Sequence, residues 1–437
     1  MKDSSPPNSD NEEELRQKIA TGSQYPSDYI ELASLIFEAG RYDEALALIQ
    51  QGAGLPLANL PKAQIYSHLG WLFYYVGKLE QALTQAQKTR ELLSTEPEDV
   101  EVLFLQGMTE SLLAESLPDA EASKNAARSG LRWLKRLISE APNFEDITFA
   151  YLHAARLSNV LGNSRDAVTF YEKCLQRDLE SNDRIECLEG LAEAFRIDNR
   201  FAEAERVIAE AFDCAKNDRG KLPKLYFTLG LIQRSANRLA DAKKAFQQVV
   251  LDLKNHPDLH VSPDLLSQVY WNLGELYYEL GEYENAVATF RELLGVYPED
   301  DLYRRNVFVW LGQSYHEAGN LNAARNSYEQ VLNSANASEI EKSSTRLGLG
   351  KVYYDSGDQD KAIKAFQNVF ACFTSDNPIH SDALLWLGYS YDAKGEYEKA
   401  RDCWEEVLAS PHASEKVKAS AQEGLAHLPQ LPRKTLH

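Results

Sequence analysis

The side chains able to do chemistry are few and scattered along the 437 residues. The five cysteines, Cys174, Cys187, Cys214, Cys372 and Cys403, are odd in number and lack CxxC spacing, which reads as reduced thiols rather than a disulfide framework. Cys174 and Cys403 fall where helical packing residues are expected, and none of the five has an evident basic neighbourhood to make its thiol reactive. His256 and His260 are four apart, the spacing of two ligands on one helix face, but Pro257 between them places the pair in a loop. No metal or cofactor is expected.

Motifs that would bring phosphate, zinc, acyl or dinucleotide chemistry, GxxxxGK[ST], HExxH, GxSxG and a strand leading into GxGxxG, are absent. A non-enzymatic role is the expectation. Acidic residues outnumber basic ones by 66 to 46, a formal charge of -20 that repels nucleic acid and anionic membrane surfaces. Clusters such as Glu12-Glu13-Glu14 and Glu405-Glu406 read as solvated faces or ends. No apolar run reaches membrane-spanning length and the start lacks the pattern of a secretory signal, so the expected location is cytoplasmic, without membrane insertion.

The elements that position these residues announce themselves by repetition. Tyr270-x-x-Leu273-Gly274-x-x-Tyr277 is followed by Ala286-x-x-x-Phe290, and Phe308-x-x-Leu311-Gly312-x-x-Tyr315 by Ala324-x-x-x-Tyr328. The phrase returns as Leu349-Gly350-x-x-Tyr353 with Ala362 and Phe366, and as Leu384-x-x-Leu387-Gly388-x-x-Tyr391 with Ala400 and Trp404. Looser copies place the small residue of a first helix at Ala33, Gly70, Gly107, Ala155, Ala192 and Gly230, which makes ten in all. Five residues before the alanine of each second helix stands Gly40, Gly77, Gly162, Asn199, Asn237, Gly281, Gly319, Gly357 or Gly395, the two residue types suited to a left-handed helix end.

The pattern resembles the tetratricopeptide repeat family, with a period of 37 or 38 residues where the family's usual period is 34. The resemblance implies an all-α fold: a right-handed α-solenoid of about ten helix-turn-helix hairpins plus a C-terminal capping helix. The expected layout is an acidic disordered tail at 1–14, a first array at 15–250 and a connection at 251–264. A second array at 265–412, a capping helix at 413–428 and a flexible end at 429–437 complete it. In the third repeat about 11 residues around Leu112 to Lys124 are inserted, and their composition predicts longer helices instead of a loop.

In this family the first helices line the inner face, and positions three before, one after and four after the small residue point into it. That carry-over gives an apolar stretch of Trp71, Tyr74, Phe104 and Met108 with Tyr75 beside it, then Leu152 and three arginines, Arg156, Arg196 and Arg234. Toward the C-terminus it gives Trp271, Tyr278, Val309, Gln313, His316, Leu347 and Lys351. The family implies a protein-binding adaptor or assembly scaffold, holding a protein or peptide segment that is apolar with acidic residues for the arginines. Against this stands the reading that the aromatics fill space between hairpins and the arginines pair with neighbouring glutamates. A receptor for a short peptide and an accessory subunit of an enzyme complex are the alternatives. No asparagine directly follows any small residue, so the family's carboxylate-clamp mode is not expected.

Overall fold

A computed structural model describes residues 9–93, 100–216, 218–370, 372–374 and 377–429. Among them every regular element is a helix, and two compact units divide at Asn237 and Arg238, within the sixth repeat of the sequence. The first unit opens with α1 (Ser9–Ala20). Its pairs are α2 (Pro26–Glu38) with α3 (Tyr42–Ala53), α4 (Asn59–Tyr75) with α5 (Leu79–Leu92), and α6 (Val100–Ser116) with α7 (Ala120–Glu140). Then come α8 (Ile147–Val160) with α9 (Ser164–Leu175), α10 (Ser181–Ile197) with α11 (Phe201–Cys214), and α12 (Leu222–Ser235).

The second unit opens with α13 (Leu239–Asn255). It continues through α14 (Pro263–Glu279) with α15 (Tyr283–Leu294), α16 (Asp301–Glu317) with α17 (Leu321–Leu332), and α18 (Glu339–Asp355) with α19 (Gln359–Val369). The last pair is α20 (Pro378–Ala393) with α21 (Tyr397–Ala409), closed by α22 (Glu415–His427). Within each unit the paired helices pack on one another and each second helix packs on the first helix of the next pair, the connectivity of a solenoid.

Local sequence sets these boundaries. Every one of the nine expected turn positions has positive φ, from 59° at Asn199 and Asn237 to 80° at Gly357. Helix starts are fixed by side chains accepting from the first turn's free N–H groups, as at Asp119, Ser262, Asp300 and the reciprocal capping box of Ser338 and Glu341. In the second unit the small residue of each first helix is pressed against a ring sixteen positions on: Gly274 on Phe290, Gly312 on Tyr328, Gly350 on Phe366 and Gly388 on Trp404. A Cβ at Gly350 would stand 2.5 Å from the Phe366 ring, so only glycine lets the two helices approach this closely.

Two boundaries differ from the sequence reading. The acidic start is not structureless to residue 14, because α1 begins at Ser9; residues 1–8 lie outside the described residues. Leu15 of α1 is buried in the cluster that holds Leu32 and Ile36, and Glu12 pairs with Arg41 at 2.7 Å and with Arg16 at 2.8 Å, which fastens the acidic run onto the first hairpin. The connection at 251–264 is shorter than expected, since α13 continues to Asn255 and α14 starts at Pro263. The insertion of the third repeat takes helical form, in a 21-residue α7. The final residues, 430–437, also lie outside the described set. Among the described residues no helix is long and apolar enough to cross a membrane.

Candidate functional site

In the first unit, α4 presents Trp71, Tyr74 and Tyr75 together at its C-terminal end. The Trp71 ring lies 5.8 Å from Tyr74 and 6.2 Å from Tyr75, and Phe37 of α2 lies 6.2 Å from Tyr75. Tyr75 is 67% exposed, whereas Trp71 is half-buried with its ring 5.3 Å from His153 of α8. Burial and the carboxylate of Glu115 push the Tyr74 phenol above its ordinary pKa. The expected apolar stretch does not run on through α6: Phe104 turns to Phe144, at 5.3 Å, and Met108 is half-buried. Leu152 is a core residue, 4% exposed, because the long third hairpin packs over α8.

The polar positions of this face are engaged by the chain itself. Arg156 on α8 pairs with Glu186 of α10 and lies 3.8 Å from Glu115 of α6. Arg196 grips Glu193 with two hydrogen bonds of 2.6 Å and donates to Ser235 of α12 at 3.0 Å. Arg234 sits half-buried in the last turn of α12. Ser34 meets His68 at 3.1 Å, Ser111 meets His153 at 3.0 Å, and Asn159 donates to the Gly190 carbonyl at 3.0 Å. Burial pushes the His68 imidazole down to about 4 and that of His153 well below its ordinary value. These side chains tie α2 to α4, α6 to α8, α8 to α10 and α10 to α12.

The second unit treats the same positions differently. Tyr278 of α14, Val309, Gln313 and His316 of α16, and Leu347 and Lys351 of α18 surround one cavity of about 450 Å³. They are the expected lining positions of three successive hairpins. Trp271 lies to one side, its ring N–H donating to Glu275 at 2.8 Å and its ring 6.4 Å from Trp310, which in turn is 5.7 Å from Tyr278.

Arg305, also on the cavity wall, is a residue that sequence reasoning missed. Its buried guanidinium is held by Asp301 four residues earlier and by Glu341 of α18 at 3.3 Å. An acidic residue one turn before an arginine was the only local signal, and it does not reveal burial. His316 meets Asp355 at 2.5 Å. Lys351 has no carboxylate within ion-pair distance among the described residues; its ammonium stands 5.2 Å from the centre of the Trp386 ring. Burial pushes Lys351 below the ordinary lysine value, opposed by the carboxylates of Asp382, Glu317 and Asp355. The wall therefore offers two fixed polar groups, an apolar flank and a cation without an ion-pair partner.

Among the described residues no group of three or more His, Cys, Asp or Glu is placed to hold a metal ion. His256 caps the end of α13 and His260 follows in the loop before α14.

Comparison with known families matches residues 265–337 to one tetratricopeptide repeat profile and residues 309–369 and 347–414 to a second. No curated protein matches the chain. Among solved structures, a chain of the APC/C hetero-tetramer Cut9-Hcn1 is similar at 13% identity and a TM-score of 0.39, covering 94% of this chain and 91% of its own. The C-terminal part of a TPR repeat-containing protein from Cytophaga hutchinsonii is similar at 17% identity and a TM-score of 0.46, over 63% of this chain and 99% of its own. BtubC from P. vanneervenii is similar at 19% identity and a TM-score of 0.38, over 55% of this chain and 96% of its own.

Proposed function

We propose that this chain, a tetratricopeptide repeat protein, is a non-enzymatic scaffold whose second unit grips a partner segment in the cavity between α14, α16 and α18. Repeat arrays of this kind are protein-interaction scaffolds in general, and the cavity supports locating the grip here. The observation that carries the reading is the convergence of six lining positions from three successive hairpins on one cavity of about 450 Å³, where their counterparts in the first unit are packed or paired.

The wall chemistry selects the occupant. Val309, Leu347 and the Tyr278 ring suit an apolar side chain, and Lys351 suits a carboxylate carried by the same segment. A partner carboxylate restores to Lys351 the counter-charge that burial makes it need. Gln313 supplies an amide that both donates and accepts, and so fixes the segment's register.

The test is a pull-down from lysate with the full chain, comparing wild type with Lys351→Glu and Tyr75→Ala, each checked for native helix content. A partner held by wild type and by Tyr75→Ala, and lost by Lys351→Glu, supports the cavity. Retention of every partner by a folded Lys351→Glu chain removes it.

A further inference from the structure

The first unit contains two thiols in contact. Cys174 on α9 and Cys187 on α10 are both fully buried, with sulfur atoms 3.0 Å apart. The Cys187 thiol donates to the Cys174 sulfur, and Cys174 donates to the Thr148 carbonyl of α8 at 3.7 Å. A single buried cysteine is ordinarily a small apolar filler. Two whose sulfurs stand only about 1 Å farther apart than a disulfide bond of about 2.05 Å are a different object, since each is the other's immediate neighbour.

The surroundings differentiate the two thiols. The hydrogen bond from Cys187 lowers the Cys174 pKa, with help from the positive charges of Arg177 and Arg156, while the same bond and burial raise Cys187. Cys174 is therefore the first to give a thiolate. Thr148, whose carbonyl accepts the Cys174 thiol, also lines a shallow cleft with Tyr151, Lys173 and Arg177, so one residue connects the buried sulfur to that cleft.

We propose that Cys174 and Cys187 are a redox-responsive pair which hydrogen peroxide converts into a disulfide fastening α9 to α10. The Cys174 thiolate attacks the peroxide, the O–O bond breaks, and a sulfenic acid forms as the first water leaves. The Cys187 sulfur then attacks that sulfenic sulfur, the S–O bond breaks, the S–S bond forms, and the Cys187 proton departs with the second water. Two thiols have lost two electrons and two protons, and one peroxide has become two waters. Glu186, the neighbour of Cys187, holds Arg156 of α8, so the bond fixes three consecutive helices of this unit at once.

The experiment treats the full chain with hydrogen peroxide, denatures and alkylates it without reduction, and maps the peptides by mass spectrometry. The expected product is a Cys174–Cys187 cross-linked peptide, lighter by two hydrogens than its halves and released by dithiothreitol. Cys187→Ser should leave a sulfenic acid on Cys174 that dimedone traps, and Cys174→Ser should leave Cys187 as a free thiol. Should a variant fail to fold, the wild-type map decides alone. Recovery of both cysteines as alkylated thiols or separate oxyacids overturns the proposal, as does a scrambled set of cross-links that joins Cys214, Cys372 or Cys403 equally.

Discussion

The two units use one repeat grammar to opposite ends. In the first unit the residues around each small position are spent on neighbours: Ser34 on His68, Ser111 on His153, Arg156 on Glu186, Arg196 on Glu193. In the second unit the corresponding residues Val309, Gln313, Leu347 and Lys351 border empty space. The packing behind them differs as well. Sixteen residues after the small position the second unit has Phe290, Tyr328, Phe366 and Trp404, all buried, whereas the first has Ile49, Ala86 and Ile208, with a buried ring at Tyr171. The large rings on the second helices of the second unit press against the small residue of each first helix. Beside the 21-residue α7, Leu152 of α8 turns into the core. Repeat position alone therefore does not decide whether a side chain borders open space; what the adjacent helices leave unfilled does.

The largest contrast is between two leucines at the same repeat position. Leu152→Ala should cost about 2–5 kcal/mol because it opens a cavity in a closed core. Leu347→Ala, which only enlarges an existing cavity, should cost about 1 kcal/mol. Urea unfolding of the two variants measures both, and equal costs would break the distinction.

Acid should separate the units next. His68 is neutral in the folded chain and held down to about 4, against 6.5 when unfolded, so the unfolded state takes up the proton first as pH falls. Its contribution of about 3 kcal/mol is fully present above about pH 6.5 and is lost on the way down to about pH 4. His153 acts in the same direction and in the same unit. Hydrogen exchange should therefore show α4 and α8 losing protection in this window before α16 and α18, and His68→Gln should flatten the loss. Simultaneous loss in both units would contradict it.

Substituting a glycine sharpens the packing contrast. Gly350→Ala drives a Cβ to 2.5 Å from the Phe366 ring and should destabilise by about 1–3 kcal/mol. Gly70→Ala meets the end of the Leu112 side chain at 3.1 Å and the Ala82 carbonyl and Gln85 Cβ at ordinary contact distance, and a helix-propensity gain of about 1 kcal/mol offsets the contact, so its net effect should be close to zero. Thermal unfolding distinguishes the two. Tyr75→Ala, at a position 67% exposed, should change stability by no more than about 0.5 kcal/mol.

The fold was legible because its rules are local. A turn needs a residue tolerant of positive φ, and all nine Gly and Asn positions read from spacing adopt it. The leucine, alanine and ring positions recur because each hairpin must bury its face on the next. The lining was legible only as a set of positions. Whether Trp71 stands free or lies against His153, and whether Arg156 awaits a ligand or meets Glu186, depends on residues 82 and 30 positions away. Arg305 escaped notice because its burial comes from Glu341 on another hairpin. The same holds for Cys174 and Cys187, whose thirteen-residue spacing carries no motif until α9 and α10 fold together.

The most direct test of the central claim is hydrogen exchange on the full chain with and without the partner that wild type captures, read helix by helix. Binding in the cavity predicts new protection in α16 and α18, around Val309 to His316 and Leu347 to Lys351, with α4 unchanged around Trp71 to Tyr75. Protection confined to α4, or spread over the first unit with α16 and α18 unchanged, would contradict the account.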